Sequence, residues 1–250
     1  MVIERTARLS LHTLLTALSG AGCGQPHEVF AGGARYVPPE AARQVNQEAL
    51  NELADAGLTT GGRPSEAFED AIHVLARPER ECYAHIRTGD EQFSVLVAAR
   101  GRTAVTALHQ DRRVWLNPAD DRDLEGTLVA HLPEFPAAGF TTFSLSQRDF
   151  RRDENGVTGV YDEPEARSPE ARELDDIFSV RHYGFGYLHV ARSKDGTRHA
   201  SVDTLSYLDI DAGRIGLEMS GPRGSQQITV FPGQPATLAA RLADLQARVA

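Results

Sequence analysis

Carboxylate and imidazole side chains are the groups in this sequence that could bind a metal, and their spacing does not fit that role. The run Asp209-Ile210-Asp211 begins like a calcium loop, but Ser220 stands at the twelfth position, where a glutamate is required. We interpret this run as a hairpin turn. His182 and His189 are seven residues apart on one predicted strand, so they should point to opposite faces and not share a metal ion.

General acid or base catalysis has equally weak support. Asp120, Asp121 and Asp123 are explained more simply as charges at the start of a helix. The glycine-rich run Gly20–Gly24 follows a helix instead of a strand, which argues against a phosphate-binding loop. The sequence also has no nucleophile elbow, no HExxH helix and no Walker loop. We therefore expect a protein that is not an enzyme and has no catalytic residue, metal or cofactor.

One predicted strand carries a pattern that suits binding better than catalysis. Tyr183, Phe185 and Tyr187 alternate with Gly184 and Gly186, so the rings share one face and the glycines share the other. Another part of the chain could approach the glycine side closely. The aromatic side is either covered by the protein's own helices or is a platform for the helices of a partner.

Composition and charge exclude several classes of protein. The 250 residues carry a net charge of −9, and the 26 lysines and arginines are scattered, so nucleic-acid binding is not expected. The first twenty residues lack the unbroken apolar core of a signal peptide, and no apolar run reaches the ~20 residues that span a bilayer. We expect a cytoplasmic protein, in which Cys23 and Cys82 are ordinary small apolar residues.

The elements that would position these residues follow the same order in two halves, residues 1–136 and 137–250. Each half has a short strand, helices, a four-stranded antiparallel meander and a closing helix. Apolar residues and a proline recur at one constant offset: Val114 with Ile228, Leu116 with Val230, Pro118 with Pro232, Leu124 with Leu238, and Leu128 with Leu242. Chance matching of apolar residues remains the alternative explanation.

The pattern of elements predicts the fold class. We expect an α/β protein of the α+β type, in which a central antiparallel sheet is flanked by two helical bundles with a quasi-twofold internal repeat. The two halves would share one sheet and form a single domain over residues 1–250. The segment Leu50–Arg80 is predicted as two helices joined by a turn at Gly61-Gly62, and Ser65 is the expected N-cap of the second helix.

Three passages resemble one known family. They are GGRPSEAFEDAIHVLARPE (Gly61–Glu79), LSYLDIDAGRI (Leu205–Ile215) and the terminal ITVFPGQPATLAARLADL. They occur in the order found in the EspG family of ESX secretion proteins, and the likeness extends over nearly the whole chain. It is weakest between Pro133 and Pro169. The resemblance implies the same sheet with two helical bundles and quasi-twofold halves.

The resemblance also implies a function. It predicts a cytosolic chaperone of type VII secretion that binds the hydrophobic tip of a PE/PPE-like helical heterodimer and keeps it soluble for export. In the family, the partner meets the sheet and the C-terminal bundle, and the loop between the first two meander strands takes part. That loop corresponds here to Arg87–Gln92, and it is short.

Two functional hypotheses therefore remain at the level of sequence. The first is the chaperone, with Arg87, Asp90, Gln92, Tyr183, Phe185 and Tyr187 as its partner-binding residues. The alternative is an acidic regulatory or DNA-binding protein with a helix-turn-helix motif at Leu50–Arg80, against which the negative charge argues. Neither hypothesis involves a membrane span.

Overall fold

The computed structural model describes residue 3 and residues 5–31, 37–38, 40–151 and 168–249. Its strands are β1 (Ala7–Ser10), β2 (Thr59–Thr60), β3 (Arg63–Pro64), β4 (Arg80–Thr88), β5 (Glu91–Arg100), β6 (Thr103–Gln110), β7 (Arg113–Pro118), β8 (Phe143–Ser146), β9 (Gly184–Lys194), β10 (Thr197–Ala200), β11 (Thr204–Ile210), β12 (Gly213–Ser220) and β13 (Gln227–Pro232). Its α-helices are α1 (Leu11–Gly20), α2 (Ala42–Asp55), α3 (Glu66–Ala76), α4 (Leu124–Val129), α5 (Gln147–Arg151), α6 (Pro169–Ser179) and α7 (Pro235–Arg248). A 3₁₀ turn covers Glu28–Phe30.

Within the described residues, eleven strands form one antiparallel sheet in the order β1-β7-β6-β5-β4-β9-β11-β12-β13-β8, with β10 added beside β9. This confirms the predicted α+β fold with a large antiparallel sheet. The two predicted halves meet where β4 pairs with β9. In each half, the opening strand pairs with the last strand of its own meander, which places Leu9 opposite Val114 and Leu145 opposite Ile228. The internal sequence repeat stays a prediction.

Helices cover both faces of the sheet. On one face, α4 and α7 contact each other and bury residues such as Leu128 and Leu242 in a core shared by both halves. On the other face, α1, α2 and α3 cover the first half, with Phe68 in their core. The helices α5 and α6 cover the second half, with Leu174 in a separate core. The strands between these two bundles are left partly open on that face.

The connection between α2 and α3 is a β-hairpin. Gly61 and Gly62 have φ values of +60° and +77°, which join β2 to β3 through the turn that the sequence predicted. Ser65 is the N-cap of α3, because its hydroxyl accepts a hydrogen bond from the Phe68 N–H at 3.3 Å. The apolar face of α3 is buried against the sheet. This geometry does not support the helix-turn-helix alternative, which needs a short turn and a second helix free to enter a DNA groove.

The helix α2 is tied to the start of α1 by the carboxylate of Glu52. The Ser10 N–H and hydroxyl donate to this carboxylate at 2.6 and 2.7 Å, the Thr13 hydroxyl also donates to it, and Arg113 lies 3.9 Å away. Partial burial raises the pKa of Glu52, but the hydrogen bonds from Thr13 and Ser10 and the charge of Arg113 outweigh burial and hold it below the usual value.

We expect Glu52→Gln to lower the free energy of unfolding at pH 7 by roughly 2 kcal/mol, because an amide replaces a carboxylate that accepts several hydrogen bonds. Because the pKa of Glu52 is lower in the folded state, the carboxylate stabilises the protein fully at pH values above its ordinary pKa of 4.5. This stabilisation is lost as the pH falls through the pKa of the folded state. Urea titrations should therefore show the wild type and the variant converging toward pH 3. Glu48→Gln, at an exposed residue of the same helix, is the control; an equal loss in both variants would contradict the prediction.

Among the described residues, no helix is both long and apolar enough to cross a membrane.

Candidate functional site

The predicted site residues lie close together where the two halves of the sheet meet. The register of β4, β9 and β11 places Phe185 between Arg87 and Leu208. One row further along β9, Tyr187 lies between His85 and Ser206. Side chains in neighbouring rows of one sheet face contact each other. The arrangement therefore forms a continuous surface across the junction of the halves.

The glycine side of β9 is packed closely, and mostly by a side chain. A Cβ atom at Gly186 would lie 2.4 Å from Cε1 of Tyr207, so the ring of Tyr207 occupies the space that a larger residue would need. At Gly184 a Cβ atom would lie 3.0 Å from the carbonyl oxygen of Arg87, which is backbone of the neighbouring strand. The glycine side of β9 is therefore filled by the chain itself, while Phe185 and Tyr187 lie on the opposite face.

A groove with a volume of about 420 Å³ runs along the aromatic side, between the sheet and the helices α5 and α6. We call it the aromatic groove; its apolar lining residues include Phe150, Leu174, Phe178, Phe185, Tyr187, Leu208, Leu217, Met219 and Ile228. Tyr187 is 53% exposed and Phe178 is 44% exposed. The protein's own helices in the described chain therefore leave these two rings open to solvent.

The rings in the groove contact one another in pairs. Phe185 and Tyr187 have ring centroids 6.1 Å apart and nearly perpendicular planes, at an angle of 74°. Phe150 and Phe178, from the ends of α5 and α6, are 5.9 Å apart. Edge-to-face and tilted pairs of this kind hold aromatic side chains in defined positions. The groove thus presents an ordered apolar surface with walls from the helices and a floor from the sheet.

Tyr183 lies beside the groove and not in it. Its hydroxyl donates to the Asp211 carboxylate at 2.5 Å, and this contact raises its pKa. Its carbonyl accepts a hydrogen bond from the Gly89 N–H at 3.0 Å. The predicted strand began too early, because β9 starts only at Gly184. Tyr183 is 38% exposed at the rim where the β4–β5 and β11–β12 turns meet.

The loop that the family resemblance pointed to is a tight hairpin. Thr88 pairs with Glu91, so the turn consists of Gly89 and Asp90 alone, and Gly89 has a φ of +55°. Arg87 and Gln92 face each other across the hairpin in the same row as Phe185. Arg87, Asp90 and Gln92 are all exposed. They place polar and charged groups next to the apolar floor.

Sequence reasoning missed the part of the groove that comes from α6. The apolar spacing of this helix accounts for Leu174 and Ile177, which are buried beneath it. Phe178 and Val180 follow directly and do not fit that spacing, and both are more than 40% exposed. Two large apolar residues outside the buried face of a helix were a usable signal of an exposed apolar surface.

Two half-buried histidines continue the sheet face beyond Tyr187. The ring of His189 stacks on that of Tyr83 with a centroid distance of 4.8 Å, and the centroid of the His85 ring lies 6.1 Å from that of His189. Nδ1 of His85 is 2.9 Å from the Ser94 hydroxyl. Burial lowers the pKa of both imidazoles, and the neighbouring His85 lowers that of His189 further.

Two of the acidic residues considered for catalysis or metal binding have structural roles in the described chain. Asp123 is the N-cap of α4, since its carboxylate accepts a hydrogen bond from the Gly126 N–H at 2.8 Å. Asp209 forms a buried ion pair with Arg214, with N–O distances of 2.7 and 2.9 Å. Across the described ranges, no group of three or more histidine, cysteine or acidic side chains could hold a metal ion.

The sequence and the fold were compared with known proteins. No curated protein matches the chain. A sequence model of the EspG family, by contrast, matches residues 10–244. The chain belongs to the EspG family. This confirms the resemblance drawn from the three sequence passages.

The fold of this EspG-family chain is also that of a solved structure. Its similarity to the Mycobacterium tuberculosis type VII secretion system chaperone EspG5 has a TM-score of 0.72 over 98% of this chain and 97% of EspG5, at 13% sequence identity. That structure contains EspG5 in complex with a PE25–PPE41 dimer. The match covers both halves of the sheet and both bundles, so the architecture is shared from end to end.

Proposed function

We propose that the chain is a cytosolic chaperone of type VII secretion that binds the hydrophobic tip of a PE/PPE-like helical heterodimer and keeps it soluble for export. It acts by covering apolar surface and performs no covalent chemistry. Membership of the EspG family and the fold shared with EspG5 support this proposal. The observation that carries it is the aromatic groove, whose exposed Phe178 and Tyr187 face the gap between the two bundles.

The groove suits an apolar helical tip for physical reasons. Exposed aromatic residues that cluster in a concave site are the usual anchors of a protein interface, because they lose much water-exposed apolar area on binding. Polar residues lie beside the groove: Arg87 and Gln92 share the row of Phe185, and Tyr183 and Asp90 lie at the adjoining β4–β5 turn. We assign these four residues to the edge of the contact and Phe185 and Tyr187 to its floor.

The double variant Phe178→Ser/Tyr187→Ser tests this proposal. The chain is co-expressed with a panel of PE–PPE heterodimers, and retention is measured by affinity capture of the tagged chain. Removing two central anchors should weaken binding by at least roughly 30-fold per residue, which abolishes retention. Both side chains are substantially exposed, so we expect the thermal unfolding midpoint of the free chain to change by only a few degrees.

Val202→Ser is the matched control, because Val202 is apolar, 87% exposed and outside the groove. It should retain the heterodimer as the wild type does. Retention by the double variant would exclude the groove as the binding site. Failure of the wild type to retain any heterodimer in the panel would contradict the proposed function itself.

A further inference from the structure

The sheet face next to the aromatic groove carries hydrogen-bonding capacity that the described part of the chain does not use. His85 engages Ser94 through Nδ1, and no described residue hydrogen-bonds to its Nε2. The imidazole of His189 stacks on Tyr83 but has no hydrogen bond to any described residue. Polar groups in half-buried positions usually have hydrogen-bonding partners. These two imidazoles are therefore suited to form hydrogen bonds with a group from another molecule.

We propose that His85 and His189 form the polar end of the client-binding surface and hydrogen-bond, as neutral imidazoles, to a polar side chain at the tip of the helical client. This inference rests on the proposed function. It is supported by continuity with the groove, because His85 is the strand partner of Tyr187 and His189 is two residues further along the same strand. A client seated on Tyr187 therefore covers both histidines.

The surroundings of the two imidazoles, burial above all, favour their neutral form. The titratable and charged neighbours of the two imidazoles belong to the Glu28 turn and to strands β4, β9 and β10. They are His27, Glu28, Glu81, Tyr83 and Arg198, and each imidazole also faces the other. Of these, Glu28 favours protonation, whereas His27 and, at His189, Arg198 oppose it. Glu81 is already paired with His27 and Arg198. Burial, the largest effect, also opposes protonation.

Client binding would therefore depend on pH in a defined direction. A client that excludes water from the imidazoles makes protonation less favourable still, so binding is strongest at neutral pH and weakens as the pH falls through the pKa values of the free chain, which lie below the ordinary 6.5. We expect a roughly tenfold increase in Kd between pH 7.5 and pH 5. The two histidines thus select a client with a hydrogen-bonding group at this position.

The double variant His85→Gln/His189→Gln tests the inference, because glutamine keeps hydrogen-bonding groups but does not titrate. The Kd for the heterodimer captured in the co-expression experiment is measured by calorimetry from pH 7.5 to pH 5. The variant should bind within about threefold of wild type at pH 7.5 and lose the pH dependence. Each single variant should lose about half of it. His73→Gln, at an exposed histidine of α3, should keep it in full.

A nuclear magnetic resonance titration of the wild-type imidazoles gives a second readout. Two signals that disappear in the double variant should titrate below the usual range in the free chain and stop titrating in the complex. Retention that does not change with pH, or a pH dependence that survives in the double variant, overturns this inference and leaves the proposed function standing. Absence of retention at every pH overturns both.

Discussion

Replacing Arg214 by methionine is expected to destabilise the chain by about 3–5 kcal/mol, because it leaves the Asp209 carboxylate buried without its partner. Arg214 and Asp209 are both 2% exposed, and Arg214 also donates to the Pro133 carbonyl at 2.8 Å. The guanidinium therefore ties the β11–β12 hairpin to the segment that joins the two halves. For a chain of this length, such a loss lowers the Tm by roughly 6–20 °C in differential scanning calorimetry.

Two control variants separate this mechanism from a general loss of surface charge. Asp209→Asn/Arg214→Met should be more stable than Arg214→Met alone, because no unpaired charge remains in the interior. Arg100→Met removes an arginine whose ion pair with Glu79 is about half exposed, and should cost less than 1 kcal/mol. An Arg214→Met variant that unfolds within a degree or two of wild type would contradict the expectation.

The second large effect is expected at Gly216. A Cβ atom there would lie 2.3 Å from two ring carbons of Phe231, which is fully buried under α7. Gly216→Ala must therefore displace the ring, and overpacking of this kind costs typically 1–3 kcal/mol. Urea denaturation should show this loss directly. The cause is steric, so shortening the facing side chain should restore part of the stability.

Gly216→Ala/Phe231→Leu is the variant that checks the cause. Its loss of unfolding free energy should be smaller than the sum of the losses in the two single variants. A double-mutant cycle measures this difference as a favourable coupling energy. Gly139→Ala is the control, since nothing lies within 4 Å of a Cβ atom at that position. Simple additivity of the two single variants would show that the ring and the glycine do not conflict.

The elements set by local chemistry could be predicted from the sequence. Ser65 caps α3 as its position indicated, because a hydroxyl before an apolar-periodic run accepts a backbone N–H. The same chemistry makes Ser10 and Ser168 the caps of α1 and α6. Apolar residues at helical spacing predict a helix from Pro38 to Ala56, but α2 begins at Ala42, because the Ala41 N–H donates to the Pro38 carbonyl in a turn ahead of it. Boundaries of this kind depend on a few backbone contacts that apolar spacing does not reveal.

Contacts between distant or facing residues were harder to predict. The pairing of β4 with β9 joins residues about a hundred positions apart, and no local pattern specifies it. The ion pair of Asp209 and Arg214 had a usable signal, because opposite charges that flank a tight turn become strand partners.

At the site, alternation placed Phe185 and Tyr187 correctly on one face. The same alternation misplaced Tyr183, which lies before the strand begins.

The junction of β4 and β9 has a mechanical consequence. The strand β9 belongs to the floor of the aromatic groove, and β4 and β9 together carry the histidine pair. The opposite side of both strands rests on α4 and α7, which contact each other. The two half-sheets therefore share a single support. Disrupting the contact between α4 and α7 would therefore loosen both half-sheets together.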